Sequence, residues 1–307
     1  MIAPILVQVY NRKAHFVNCI ESLAQCRLAN ETHLFIASDA SRTDADKEAV
    51  RKIREYCSSI IGFKKVDLLI SEQNMGATET YKSALIRIFS EYDKLIYTED
   101  DNIFSINFLD FINRGLDYYE NNSHIFSICG YKHPFKVPQN YSNDVYTSTV
   151  ISAWGLGVWK KKYLSVDFYP NNLDVSAKKM KRMSYCWQNL IRDSISGGKM
   201  YADVLMEYHC LKYNMVNIFP VVSLVQNHGN DGSGMHCTVL PEYSKQNIYN
   251  NYKLFEFIGD IDIQSSIEKR VTNAIDYPFV EVPKLYLAKI KHRIRIFIKI
   301  VFGICLF

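Results

Sequence analysis

The sequence predicts an α/β domain in which a mostly parallel sheet carries helices on both faces. Two observations predict it. Short apolar runs alternate with stretches of helical periodicity through the first half of the chain, the pattern of strand–helix–strand units. The composition, 48% hydrophobic and 22% charged over 307 residues, is that of a globular chain long enough to bury a substantial core. The chain has no internal repeat and no low-complexity segment.

Residues 5–9 read as the first strand, and Phe16, Ile20 and Leu23 then recur at helical spacing. Residues 33–38 form the second strand, with Ala49, Ile53, Cys57 and Ile60 marking the helix after it. Residues 66–70 are the third strand, followed by a helix with Tyr81, Leu85 and Ile88 on one face. Residues 95–98 are the fourth, and Phe108, Ile112, Leu116 and Tyr119 line the next helix. Residues 125–129 are a fifth strand. From Tyr131 to about Pro170 the alternation lapses into loops, aromatics and prolines. A helix is expected over 203–213, and the Gly, Asn and Asp of 227–234 read as a loop.

The formal net charge of +4 belongs to the tail: residues 284–307 carry six Lys/Arg and no acid, leaving the rest of the chain at −2. A nucleic-acid partner is therefore not indicated. Eight cysteines are scattered without C-x-x-C spacing, with Cys19 and Cys57 on apolar helix faces and Cys129 in an apolar strand. Reduced, buried thiols in the cytosol are expected. A strand-like run opens the chain, and no signal peptide is expected.

Ligands of an open parallel sheet bind at the carboxyl ends of its strands. Here those ends are polar: Asn11-Arg12, Asp39, Asn74 and Glu99-Asp100-Asp101. Continuing the strand would put Glu99 and Asp101 on one side and Asp100 on the other. Three adjacent carboxylates repel one another unless a cation or donors neutralise them, and hard oxygen ligands suit Mg2+ or Mn2+. The alternative is a solvated acidic turn before a helix N-terminus.

An ordered set of segments resembles GT-A fold glycosyltransferases. Pro4-Ile5-Leu6-Val7 through Tyr10-Asn11-Arg12, then Ile20-Glu21-Ser22-Leu23, is similar to their opening. Ser38-Asp39-Ala40-Ser41 and Asn74-Met75-Gly76 resemble the turns after the second and third strands, and Tyr97-Thr98-Glu99-Asp100-Asp101 resembles the D-x-D-type metal motif. The segment Ser152-Ala153-Trp154-Gly155 through Trp159 is similar to the acceptor-side W-G segment of bacterial family 2-like transferases. Pro220 through Val225 and Asn227-His228-Gly229 through His236 resemble their closing segment. An E-D-D motif in a similar layout occurs in N-acetylglucosaminyltransferase I. The likeness spans roughly residues 4–237.

The resemblance implies a Rossmann-like GT-A fold with an irregular acceptor-side region. Residues 1–130 would be the nucleotide-sugar-binding half, and 131–240 the acceptor-side and catalytic half of the same domain. A C-terminal extension over 241–283 and a basic amphipathic tail over 284–307 would follow. It implies donor binding by Tyr10, Arg12, Asp39, Asn74, Glu99 and Asp100, with Asp39 at the base or ribose and Arg12 near the diphosphate. Asp101 would bind the metal, Mn2+ or Mg2+, and His236 could complete a metal or phosphate site. Trp154 would face the acceptor, and Trp159 is expected in the core. Inverting members use a downstream carboxylate base. Asp203 sits in that place, but Tyr201-Ala202 replaces the usual tryptophan before it, so Glu207 stays a second candidate. His209-Cys210 and His236-Cys237 lack the paired spacing of a zinc site. Gly155-Leu156-Gly157 lacks the third glycine and preceding strand of a dinucleotide fingerprint.

In the tail, Lys289, Lys291, Arg293, Arg295 and Lys299 interleave with apolar residues in a run too short for the ~20 residues that span a bilayer. An amphipathic helix on anionic lipid is expected, and a helix packed on the protein is the alternative. Together these point to an inverting transferase moving a sugar, by default from a UDP-sugar, to a glycan or lipid-linked glycan. It would act at the cytoplasmic face of a bacterial membrane in surface polysaccharide synthesis. The rivals are a Mg-dependent sugar-phosphate nucleotidyltransferase, disfavoured because Tyr10-Asn11-Arg12-Lys13 has no glycine, and a non-catalytic sugar-binding protein on the same fold.

Overall fold

The computed structural model describes residues 1–169, 180–197, 201–233, 244–259 and 263–276. The first half alternates as its periodicity requires: β1 (Ile5–Val9), α1 (Lys13–Ala24), β2 (His33–Ser38), α2 (Lys47–Cys57), β3 (Lys65–Ile70), α3 (Ala77–Phe89) and β4 (Lys94–Glu99). A short strand β5 (Asn102–Phe104), helix α4 (Phe108–Tyr118) and β6 (Ile125–Cys129) follow. Then come β7 (Val145–Ser148), β8 (Leu156–Trp159), the single turn α5 (Lys160–Tyr163), α6 (Tyr185–Gly197) and α7 (Ala202–Tyr213). The described elements end with β9 (Val216–Pro220), β10 (Val225–Asn227) and α8 (Ser265–Ile275).

Eight strands form one sheet in the order β3-β2-β1-β4-β8-β6-β9-β7. β1 pairs in parallel with β2 and β4, β2 with β3, and β6 with β9; β8 and β7 run antiparallel to their neighbours. The sheet is mostly parallel and flanked by helices. Alternate strand residues feed two cores. Ile5, Val7, Leu34 and Ile36 pack with Phe16 and Leu23 of α1, Ile53 of α2 and Ile112 of α4. Leu6, Phe35 and Leu95 pack with Leu85 and Ile88 of α3, Met206 of α7 and Val271 of α8.

The structure departs from the sequence expectation in two places. The segment from Tyr131 is not all loop, because β7 and β8 lie in it. Both have only four residues and pair with strands distant in sequence, so no local periodicity announces them. Helix α2 buries Val50 rather than Ala49 beside Ile53 and Cys57, and it stops at Cys57, before Ile60. Apart from these differences, β8 is inserted between β4 and β6, hydrogen-bonded to both. That insertion needs Gly157: a Cβ there would stand 2.4 Å from Ile112 Cγ2, so only glycine lets α4 lie flat on β8.

The described part of the C-terminal extension folds back over α4. Phe255 packs edge-on against Phe111 at 5.1 Å, and Tyr119 Oη donates to the Ile258 carbonyl at 2.8 Å. The six described cysteines are free thiols, and Cys19, Cys57 and Cys129 are buried where the apolar pattern puts them. Trp159 is a core residue, 6% exposed.

Candidate active site

The chain winds β1, β2, β3 outward and then returns to place β4 on the other side of β1. Strand order reverses between β1 and β4, and open α/β sheets bind ligands in the crevice outside the carboxyl ends of their strands at such a point. Tyr10, Asn11 and Arg12 leave β1 on one wall, and Gln8 of β1 stands in register with Glu99, the last residue of β4, on the other.

The acidic triplet occupies this crevice with a geometry that corrects the simple alternation. β4 ends at Glu99, and Asp100 and Asp101 form the turn into β5, so the two aspartates lie on the same side. Arg12 Nη2 donates to Asp100 Oδ1 and, at 2.7 Å, to Asp101 Oδ2. Glu99 turns the other way, its Oε2 accepting from Trp154 Nε1 at 3.1 Å, while the Trp154 ring stands edge-on to Tyr131 at 4.7 Å.

A two-stranded ribbon holds Asp101 from below. β5 and β10 pair antiparallel, Asn102 opposite Asn227, and bring the closing segment onto the triplet. Asn227 Nδ2 donates to Asp101 Oδ1 at 2.8 Å, and the His228 amide donates to the Asp101 carbonyl at 2.9 Å. Gly229 lies so close that a Cβ would stand 2.0 Å from Asp101 Oδ2. His15 of α1 meets Asp231 at 3.0 Å and ties the same loop to the helix that follows Arg12.

The electrostatics follow from crowding. Burial, then the charges of Asp101, Asp100 and Asp203, push the Glu99 carboxyl up to about 8. Burial also raises Asp100, to about 6, with Arg12 opposing and Asp101 adding to the rise. Burial disfavours the Arg12 charge, yet the two aspartates hold its pKa above the ordinary guanidinium value. The cluster carries more negative charge than one guanidinium offsets.

Asp39 and Asn74 meet at the ends of β2 and β3. Asp39 Oδ1 accepts from the amides of Ala40 at 2.9 Å and Met75 at 3.0 Å; Oδ2 accepts from the Gly76 amide at 2.8 Å and Asn74 Nδ2 at 3.1 Å. The carboxylate thus staples the loop before α3, where Gly76 takes a φ of +78° that favours glycine. Tyr10 and Asn11 are fixed by Asp46, which accepts from Tyr10 Oη at 3.0 Å and Asn11 Nδ2 at 2.8 Å.

The two candidate bases part company. Asp203 opens the first turn of α7, half-buried, with Oδ1 accepting from the Val204 amide at 2.9 Å. Its charge is felt by Glu99, and burial raises its own pKa. Glu207, one turn on, is 1% exposed and neither carboxyl oxygen has a partner. Burial, then Glu268, Asp203 and Asp276, push its pKa well above the usual carboxylate value. Glu268, on α8, is held by the Ser148 hydroxyl at 2.6 Å and the Thr149 amide at 3.1 Å. Glu207 thus faces the core between α7 and α8. His236 and the basic tail lie outside the described residues.

The donor set suits a hard divalent cation: clustered carboxylate oxygens with unbalanced negative charge. Among the described residues no three His, Cys, Asp or Glu side chains form a ready cage. That agrees with the habit of Mg2+-like ions, which take one or two carboxylates and complete their shell from phosphate and water. His209 packs between the Phe126 and Tyr213 rings, and Cys210 lies buried against Asn217, so that pair is structural.

Sequence reasoning missed Asp46 and the roles of Asn227 and Gly229. Asp46 precedes α2 and carries only the signature of a helix-start acid. Asn227 and Gly229 lie within the closing segment that carries the resemblance, but their contact with Asp101 depends on pairing across more than a hundred residues.

No protein-family profile matches the chain, and no curated protein sequence does. Its fold overlaps solved structures. S. aureus TarS is 18% identical over 55% of this chain and 30% of that chain, with a TM-score of 0.38. The mannosyltransferase PcManGT from Pyrobaculum calidifontis, solved with GDP-Man and Mn2+, is 13% identical over 68% of this chain and 69% of that one, TM-score 0.40. GalNAc-T7, solved with UDP, GalNAc and Mn2+, is 11% identical over 73% of this chain and 43% of its own, TM-score 0.45. The match thus covers under a third of TarS. With these TM-scores below one half, residue roles rest on this chain's own geometry.

Proposed function

We propose that the protein is a metal-dependent glycosyltransferase that moves a sugar from a nucleoside-diphosphate donor, a UDP-sugar, to a hydroxyl of a glycan or lipid-linked glycan. One observation carries the reading: three carboxylates and one arginine gather at the reversal point of the sheet, in the crevice where such sheets bind nucleotides. The ordered motifs of the sequence support it.

Asp101, with Asp100 beside it, would hold Mn2+ or Mg2+. A bound cation supplies charge that stabilises the departing diphosphate. Arg12 binds a diphosphate oxygen through its planar fork. The stapled loops of Asp39 and Asn74, with Tyr10, shape the nucleoside side. Trp154 offers an aromatic plane to the acceptor while its N–H orients Glu99. Asp203 accepts the proton of the attacking hydroxyl, and its raised proton affinity suits that task. Glu207 is the weaker candidate because its oxygens are enclosed. One-step attack with Asp203 as base inverts the anomeric centre. The setting we propose is the cytoplasmic face of a bacterial membrane, in surface polysaccharide synthesis, with the basic tail on anionic lipid.

Incubation with nucleotide-sugars and Mn2+ tests the reading by its products: free nucleoside diphosphate is expected, and pyrophosphate chemistry would point to nucleotidyl transfer. Asp101→Asn and Asp203→Asn should each lower turnover by roughly 10²–10⁴-fold with the fold intact. Turnover unchanged in both variants would sink the assignment.

A further inference from the structure

Arg12 places a cation at the acidic turn. Arg12 Nη2 bridges Asp100 Oδ1 and Asp101 Oδ2, while Nη1 of the same guanidinium is buried and has no hydrogen-bond partner. One monovalent side chain therefore sits between the two carboxylates that a hard divalent cation would use, with half of its fork idle. Two positive groups on one carboxylate pair repel each other, so Arg12 and a metal ion compete for this position. An idle buried guanidinium N–H is costly, and a phosphate oxygen is the acceptor that its planar fork matches best. Asp101 does not depend on Arg12 for its placement, because Asn227 and the His228 amide hold it separately.

We propose that Arg12 is a resident counter-cation that exchanges partners: it neutralises Asp100 and Asp101 in the free protein, and a donor diphosphate draws it away and opens the carboxylates to the metal. This rests on the glycosyl-transfer reading, and it adds an order of events. Metal binds weakly alone. Nucleotide and metal each strengthen the other, by the reciprocity that links any two ligands sharing an equilibrium.

The test reads binding, not turnover. Mn2+ is titrated into the nucleotide-free, full-length chain with free Mn2+ followed by electron paramagnetic resonance. UDP and GDP are titrated calorimetrically in the presence of EDTA. Arg12→Gln should bind Mn2+ about tenfold or more tighter than the wild type and the better of the two nucleotides about tenfold or more weaker. Arg12→Lys keeps the competing charge and should hold Mn2+ near the wild-type affinity. A merely structural role would weaken both ligands together, and matched thermal melts separate misfolding from loss of the clamp. Mn2+ bound no more tightly by the Gln variant, or by neither protein, overturns the proposal. Opposite shifts in a wild type that turns over no nucleotide-sugar leave the exchange standing and remove the glycosyl-transfer reading alone.

Discussion

Both carboxyl oxygens of Glu207 are buried without a partner, and Glu268 is its largest charged neighbour. Burial comes first among the causes that raise its pKa well above the ordinary value of 4.5. The folded protein therefore holds this proton more tightly than the unfolded chain. The stability it contributes is complete below the unfolded pKa and is lost as pH rises toward the folded one. Glu207→Gln keeps the shape and removes the ionisation. At pH 8 the variant should be more stable than the wild type, on the order of 1–3 kcal/mol, with the gap closing near pH 4.5. Urea melts at the two pH values measure it, and a gap independent of pH would show that the carboxyl is not held neutral. Trading this instability for a polar group next to Asp203 is intelligible if the helix face serves the site.

At the level of elements, the crevice is a product of short loops stapled to strand ends. Asp39 accepts four hydrogen bonds, three of them from Asn74, Met75 and Gly76, so β2 and the entry to α3 move as one unit. Asp39→Ala frees that loop without touching the acidic turn. We expect the donor KM to rise about tenfold while kcat changes little, since the loss falls on uniform binding. Initial-rate kinetics decide it, and an equal fall in kcat would place Asp39 nearer the chemistry. The same elements explain what could be read from the chain. β1 to β4 and β6 were legible because short, largely apolar runs are framed by amphipathic helices. The positions of Asp101 and Asp39 just after β4 and β2 were legible because polar residues there end the apolar runs. β5, β7, β8 and β10 have three or four residues, and each finds its partners far away in sequence. The Arg12 clamp was hidden for a related reason: it depends on β4 stopping at Glu99, and a boundary of one residue decides which face Asp100 takes.

Across the whole molecule, charge is divided unevenly. Residues 284–307 carry six Lys/Arg and no acid, while the rest of the chain sums to −2. An anionic membrane surface would repel the remainder weakly and attract the tail. Among the described residues no helix is long and apolar enough to cross a bilayer. Each basic residue near anionic lipid contributes about 1 kcal/mol, and its attraction fades within a Debye length. Replacing three of them together, Lys289→Glu, Arg293→Glu and Lys299→Glu, should therefore cut binding to phosphatidylglycerol vesicles by at least about a hundredfold. Raising the salt should weaken the wild type in the same direction. Soluble short-chain acceptors should be glycosylated equally well by both proteins, because the acidic turn is untouched. Vesicle co-sedimentation and donor turnover, measured on the same preparations, separate the two functions. Should the variant bind vesicles as tightly as the wild type, the basic residues must meet protein instead, and the lipid-linked acceptor loses its main support.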